Sequence, residues 1–205
     1  MKKILLSSLV ASLLSTSAMA GMYIGLDYSR VSNTTNKEYD GSTPNLVKNG
    51  DYDNDYDTLS FKLGFGKDGG IKTQFKLSYS SYDKEFITFG GDTKLYEFGV
   101  DVIKEFRVAD SLYPFVKVGL GIGYSPVEDT NYVKYTQDGI FGFSYSTGAG
   151  VLYKLTDHLD VHGGVEYIGR RYQDIEYTIG NAQVITTEST KDSGIGVFVG
   201  TNFSF

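Results

Sequence analysis

Apolar and polar residues alternate one for one in eight stretches of this chain, the period of a strand with two unlike faces. In the first stretch Met22, Ile24, Leu26 and Tyr28 share one face, and Gly21, Tyr23, Gly25, Asp27 and Ser29 the other. The second sets Leu59, Phe61, Leu63 and Phe65 against Ser60, Lys62, Gly64 and Gly66. The third sets Ile71, Thr73, Phe75, Leu77 and Tyr79 against Lys72, Gln74, Lys76 and Ser78, and the fourth sets Tyr96, Phe98, Val100 and Val102 against Glu97, Gly99 and Asp101. The fifth is the cleanest, with Val116, Val118, Leu120, Ile122 and Tyr124 opposite Lys117, Gly119, Gly121 and Gly123. The last three follow suit, placing Ser144, Ser146 and Lys154, then Asp160, His162, Glu166 and Arg170, then Gly194, Gly196, Gly200 and Asn202 on their polar faces. An even number of strands lets the first and last pair antiparallel. The pattern therefore predicts an all-β, eight-stranded antiparallel up-and-down barrel over residues 21–205.

A soluble, ligand-carrying barrel would alternate too, with its apolar face turned inward. The polar face here is mostly Gly, Ser and isolated charges, which suits a crowded lumen better than a water-facing wall. The opposite face is bulky and aromatic, as a lipid-facing band is. Tyr28, Tyr79, Tyr96, Tyr124, Tyr145 and Tyr167 fall at one set of strand ends, and Phe65, Phe106, Tyr153, Phe203 and Phe205 at the other. Two aromatic belts imply two membrane interfaces. Connections at 67–70, 107–112 and 156–158 are short, whereas those at 32–57, 83–93, 126–141 and 173–192 are long and polar. In transmembrane barrels short turns are periplasmic and long loops extracellular, so both mature termini are expected in the periplasm.

The front of the chain agrees with that compartment. Lys2 and Lys3 precede an apolar stretch from Ile4 to Leu14, and Ala18-Met19-Ala20 offers a small-residue cleavage site. That stretch is shorter than the ~20 residues a spanning helix needs, so residues 1–20 are expected to be a cleaved signal peptide. Cleavage removes two of the 19 basic residues and none of the 25 acidic ones, taking the net charge from −6 to −8. Such a charge argues against a nucleic-acid partner. With no cysteine in the chain, disulfide, thiol and zinc-cysteine chemistry are closed off.

The alternation runs to a C-terminal phenylalanine, and Phe198-Val-Gly-Thr-Asn-Phe-Ser-Phe205 is the most specific stretch of the chain. Here the sequence resembles the small eight-stranded outer-membrane barrels, the family of outer-membrane protein X and the transmembrane domain of outer-membrane protein A. The resemblance covers essentially all of 21–205. It implies that Phe203 and Phe205 act as the signal read by the barrel-assembly machinery, that lipid and lipopolysaccharide surround the barrel, and that the chain is a monomer. No segment matches the peptidoglycan-binding domain of full-length outer-membrane protein A, so that tethering role is not expected.

Eight strands enclose a lumen that side chains can fill. The charges directed into it are Asp27, Glu97, Asp101, Asp160 and Glu166 against Lys62, Lys72, Lys76, Lys117, Lys154 and Arg170. Charges withdrawn from water must be paired, so this nearly balanced set predicts an ion-pair network. Counting back from the short turns puts Lys154 opposite Asp160 and Asp101 opposite Lys117. Lys62 and Lys76 face each other and need Asp27 and Glu97 from flanking strands. A filled structural core is the expected role; a narrow ion-conducting path is the alternative.

Catalysis is not expected. Two eight-stranded families modify lipid A, but acyl transfer needs a Ser or Thr beside a base near the outer leaflet. The only histidines are His158, in a short turn, and His162, low in the lumen; Ser144 and Ser146 are expected far above. Glycine runs at 119–123 and 194–200 precede no helix and so are not phosphate loops. Asp51, Asp53, Asp55 and Asp57 resemble a calcium loop, yet Tyr56 and Lys62 stand where glycine and glutamate are required. No cofactor or metal is therefore assigned. Tyr39, Tyr52, Tyr56, Tyr132, Tyr135 and Tyr172 lie in the long connections and suit contact with an extracellular protein or glycan. The expectation is a non-enzymatic envelope barrel with a structural or adhesion-like surface role.

Overall fold

The structure, a computed structural model, describes residues 21–40, 50–84, 94–127, 129, 133–179 and 185–205. The predicted signal peptide, 1–20, and Tyr132 lie outside the described residues. Eight long strands form the barrel: β1 (Met22–Asp40), β3 (Tyr56–Gly66), β4 (Ile71–Tyr82), β5 (Lys94–Glu105), β6 (Leu112–Pro126), β8 (Gly139–Lys154), β9 (Leu159–Tyr172) and β11 (Ile185–Ser204). Each pairs antiparallel with the next, and β1 with β11 closes the sheet, from Tyr23 opposite Ser204 to Asp40 opposite Thr187. Three short strands, β2 (Gly50–Asp53), β7 (Val133–Tyr135) and β10 (Ile175–Ile179), lie outside this circuit.

The faces fall as the alternation predicts. Val118, Ile122 and Val197 are 58%, 60% and 65% exposed, in company with Leu26, Leu59, Leu77, Leu120, Val165 and Val199. A continuous apolar wall of this extent far exceeds what a water-soluble monomer displays, and hydrocarbon is the solvent that accounts for it. Among the described residues no helix is long and apolar enough to cross a membrane. The tyrosine belt pairs across strands, Tyr79 with Tyr96 at 5.5 Å between ring centroids and Tyr145 with Tyr167 at 6.2 Å. The first short turn is closed by the Gly70 N–H bonding to Lys67 O at 2.9 Å, with Gly69 at φ +69°, a left-handed conformation glycine adopts at no steric cost.

Two of the connections expected to be loops are largely sheet. β1 continues through Asp40 and pairs with both β2 and β11; β11 in turn pairs with β10, and β10 with β7. A sheet in the order β2-β1-β11-β10-β7 thus stands beyond the tyrosine belt. β1 and β11 are mostly Thr, Asn, Ser and charges here, and β7 and β10 carry apolar residues over only three and five positions, so a hydrophobicity reading passes over the sheet, although Thr is a good strand former. Val31, Asn33, Thr35 and Lys37 alternate buried against exposed Ser32 and Thr34, and Ile175, Tyr177, Glu188 and Thr190 are buried with them.

Candidate functional site in the barrel lumen

Inward positions on all eight barrel strands stack into layers. Nearest the short turns, Lys72 Nζ lies 2.8 Å from Glu105 Oε1 and 2.9 Å from Asp68 Oδ1, and Lys154 also binds Asp68. Burial works against ionisation of Asp68, but the hydrogen bonds from Lys154 and Lys72 prevail and hold its carboxyl below the usual range. One layer up, the Tyr23 hydroxyl donates to Gln74 Oε1 at 2.9 Å, and Gln74 Nε2 donates to Asp101 Oδ2 at 2.7 Å. In the middle, Lys62 Nζ lies 2.6 Å from Asp27 Oδ1, and His162 Nε2 lies 2.7 Å from that oxygen and 2.9 Å from Lys62 Nζ. Beside them Lys117 Nζ meets Glu166 Oε2 at 2.6 Å and stands 4.0 Å over the Phe198 ring. Higher again, Arg170 Nε donates to Glu97 Oε2 at 3.1 Å, while its guanidinium lies 4.8 Å over the Tyr56 ring and bonds the Tyr56 hydroxyl.

Of the charges the sequence directs inward, Asp27, Lys62, Lys72, Glu97, Lys117, Lys154, Glu166 and Arg170 thus sit in ion pairs. Asp101 takes the neutral Gln74 donor instead, and Lys76 and Asp160 have no ion pair within 4.0 Å among the described residues. The register places Lys154 opposite Asp160 and Lys62 opposite Lys76, as expected. Lys154 nonetheless reaches across to Asp68. The expected pairing of Asp101 with Lys117 is two residues out: Asp101 faces Gly119, and Lys117 faces Ile103. Turn hydrogen bonds from Val108 and Ala109 to Leu112 O close the hairpin further along than symmetric counting allows. Opposite Gly119 the Asp101 carboxylate occupies the space a side chain would take. Glu105 is a further lumen carboxylate, on the parity of Glu97 and Asp101 carried two steps along the strand.

The lumen is also more apolar than its charges suggest. Beside the lower and middle ion pairs Ile103, Tyr113, Phe115, Leu152 and Phe198 form one buried cluster. Above them Val31, Tyr56, Tyr82, Leu95, Val127, Ile140, Ile168, Tyr172 and Ile175 form another. Glycines make room for these rings: a Cβ on Gly150 would lie 2.6 Å from Phe115 Cζ, and one on Gly164 would lie 2.8 Å from Phe198 Cζ. Asp192 ties the upper cluster together, accepting from Tyr82 at 2.7 Å, Tyr172 at 2.9 Å and Thr35 at 2.7 Å. Tyr56 and Tyr172, expected as surface contact residues, are therefore lumen residues, and Tyr135 packs against the same cluster. Two voids of about 20 Å³ flank the central ion pairs, one beside His162 and Lys62 and one beside Lys76 and Arg170. Each has room for about one water molecule.

At the lower rim Phe203 and Phe205 are exposed, their rings 5.5 Å apart and edge to face, and the Phe205 N–H bonds Met22 O at 3.0 Å. Both described termini thus share an end with the short turns. Just above the tyrosine belt, outside the lumen, Arg30 binds Asp57 at 2.9 Å and Asp83 at 2.6 Å, with Asp55 at 3.8 Å. The Arg30 hydrogen bond holds the Asp83 carboxyl below its usual range. The aspartates of the 51–57 segment are thus engaged in part by a cation of the chain itself, and no group of metal-ligating side chains occurs among the described residues.

The family model for the outer membrane protein beta-barrel domain matches residues 4–203. Among solved structures, OprG from Pseudomonas aeruginosa is 13% identical, with 91% of this chain and 96% of that one covered and a TM-score of 0.52. The outer membrane protein AlkL, solved in lipid bilayers, is 14% identical over 91% of this chain and 90% of that one, with a TM-score of 0.53. Neisserial surface protein A is 18% identical over 90% and 97%, at a TM-score of 0.49. A search of curated protein sequences finds no match.

Proposed function

Because the chain belongs to the outer membrane protein beta-barrel domain family, we propose that it is a closed, non-enzymatic barrel that supports the envelope and presents its outer sheet for surface contact. The observation that carries this reading is the filled lumen. Apolar clusters beside and above the ion pairs pack around them, and the voids that flank the central pairs each hold about one water molecule, which supports a lumen closed to bulk flow. The ion pairs from Asp27 to Arg170 then act as a polar core that pins strand positions across the barrel. His162 is committed to Asp27 and Lys62, with no hydroxyl nucleophile among its partners, which argues against acyl transfer. On this reading residues 1–20 are a cleaved signal, the termini are periplasmic, Phe203 and Phe205 are read by the assembly machinery, and the barrel is a monomer in lipopolysaccharide. A protein or glycan partner would meet the sheet beyond the belt, through residues other than Tyr56 and Tyr172.

The charged middle layer is the one observation that favours a narrow ion path instead. Planar-bilayer recording of the purified barrel separates the two readings. The closed barrel gives no unitary steps, and neither does Phe198→Ala alone, because the upper cluster remains. Reproducible steps from the unaltered protein that change with Lys117→Ala overturn the closed reading.

A further inference from the structure

We propose that the outer wall carries a binding site for the phosphate of an outer-leaflet glycolipid, built from Arg171 and Lys191 above Phe143 and Tyr145. This rests on the outer-membrane reading and gives it a specific lipid contact. The four side chains come together through register: Lys191 faces Arg171 across the β11–β9 pair, and Arg171 faces Phe143 across β9–β8. One step down, Tyr145 faces Gly169, and its ring lies where a Gly169 side chain would be. The result is a cleft of about 410 Å³ with an aromatic floor and a cationic upper edge, and Ser193 lies along one side.

Its depth is what selects a lipid. Tyr145 belongs to the tyrosine belt and Phe143 is 52% exposed, so the floor of the cleft meets acyl chains where the headgroup region begins. The cations stand level with Phe143 and one strand step above Tyr145, at headgroup level. Arg171 is exposed and outward-facing, and no carboxylate lies within 4.0 Å of it among the described residues. Arg30, at a similar height on β1, is already saturated by Asp57 and Asp83. An uncommitted guanidinium at a membrane surface has a fork of donors suited to two phosphate oxygens. Lys191 is held by Glu38 at 3.4 Å, both side chains largely in solvent, an exposed pair weak enough to exchange for a phosphate. Two acidic residues line the cleft: Asp192 is buried and turned inward to accept from Thr35, Tyr82 and Tyr172, and Asp51 accepts a hydrogen bond from Asn36 on the far edge, on β2. In a chain of net charge −6, two neighbouring outward cations over aromatic rings match an anion with an apolar tail better than a soluble anion. In the outer leaflet that molecule is lipid A, the phosphorylated glycolipid.

The test is native mass spectrometry of the folded barrel in detergent, titrated with bisphosphorylated lipid A, dephosphorylated lipid A, phosphatidylglycerol or inorganic phosphate. Each basic side chain near a membrane surface is worth about 1 kcal/mol, so Arg171→Gln should weaken lipid A binding about fivefold, and Arg171→Gln with Lys191→Gln about thirtyfold. Arg171→Lys, which keeps the charge but loses the two-pronged contact, should weaken binding less than Arg171→Gln, and Arg30→Gln should leave it unchanged. Unaltered lipid A affinity in the double variant overturns the site. Equal binding of dephosphorylated lipid A overturns the phosphate contact, and phosphatidylglycerol or phosphate binding as tightly as lipid A overturns the glycolipid assignment. Insertion into vesicles, followed in parallel by heat-dependent gel mobility, separates the two levels. A barrel that fails to insert refutes the outer-membrane reading, whereas one that inserts normally while the double variant binds lipid A fully refutes only the site.

Discussion

Removing one partner of the Lys117–Glu166 pair tests whether the lumen is held by its charges. The two groups are 2.6 Å apart and almost fully withdrawn from solvent, with side chains 7% and 6% exposed. At an effective dielectric of about 20 their attraction is about 6 kcal/mol before the cost of desolvating each ion is set against it. Replacing such a pair as a whole is therefore close to neutral, but orphaning one member costs about 3–5 kcal/mol. Glu166→Gln leaves the Lys117 ammonium 4.0 Å over the Phe198 ring, a contact worth about 0.5–2 kcal/mol, so its cost should fall near 3 kcal/mol. Lys117→Met has no such cushion for Glu166 and should cost about 4 kcal/mol. The double variant should lie within about 2 kcal/mol of the unaltered protein, giving a clear coupling in the cycle. Urea unfolding in lipid vesicles measures this, read by heat-dependent gel mobility and by tyrosine fluorescence, since the chain has 17 tyrosines and no tryptophan. Single variants each within about 1 kcal/mol of the parent, or a double variant equal to the sum of the singles, would refute the reasoning.

Three further outcomes follow from the geometry. Leu120→Arg, on a residue 59% exposed to the lipid side, should cost about 2–4 kcal/mol and lower the yield of inserted barrel in a vesicle-folding assay. Gly164→Val should cost about 1–3 kcal/mol in urea unfolding, because its Cβ would lie 2.7 Å from Gly150 Cα and 2.8 Å from Phe198 Cζ. Asp68, whose pKa is lowered in the folded state, contributes stability that is full above the ordinary carboxylate range and lost as pH falls through its folded value. Its side chain is 42% exposed, so Asp68→Asn should remove no more than about 1 kcal/mol at neutral pH and flatten the acid limb of the stability profile.

The barrel was legible because lipid on one side and a packed lumen on the other impose a strict two-residue period, which Val118 and Lys117 obey as plainly as any pair in the chain. The same period, followed without regard to polarity, also locates what was missed. Tyr23, Phe115, Leu152 and Phe198 all fall on the polar parity of their strands, and all are inside. Reading the lumen as polar obscured them, because a polar average over a face hides a few large rings among glycines. Partners across the barrel were less readable than positions along a strand. Lys154 reaches Asp68 rather than the Asp160 opposite it, since a long side chain in a narrow lumen can choose among several strands. The outer sheet is hard to read because β1 and β11 carry an inward polar layer around Thr35, Lys37 and Glu188, and the apolar residues Ile175 and Tyr177 fall on a strand of only five residues.

The β1–β11 seam joins Tyr23 to Ser204, the first barrel strand to the last. No circular wall can exist until the last strand has arrived, so β1 must wait, with its edge unsatisfied, for β11. Such a high contact order makes spontaneous folding slow and leaves the waiting chain prone to aggregation. Anything that covers the β1 edge until β11 arrives therefore protects the chain, whatever the loops outside are for.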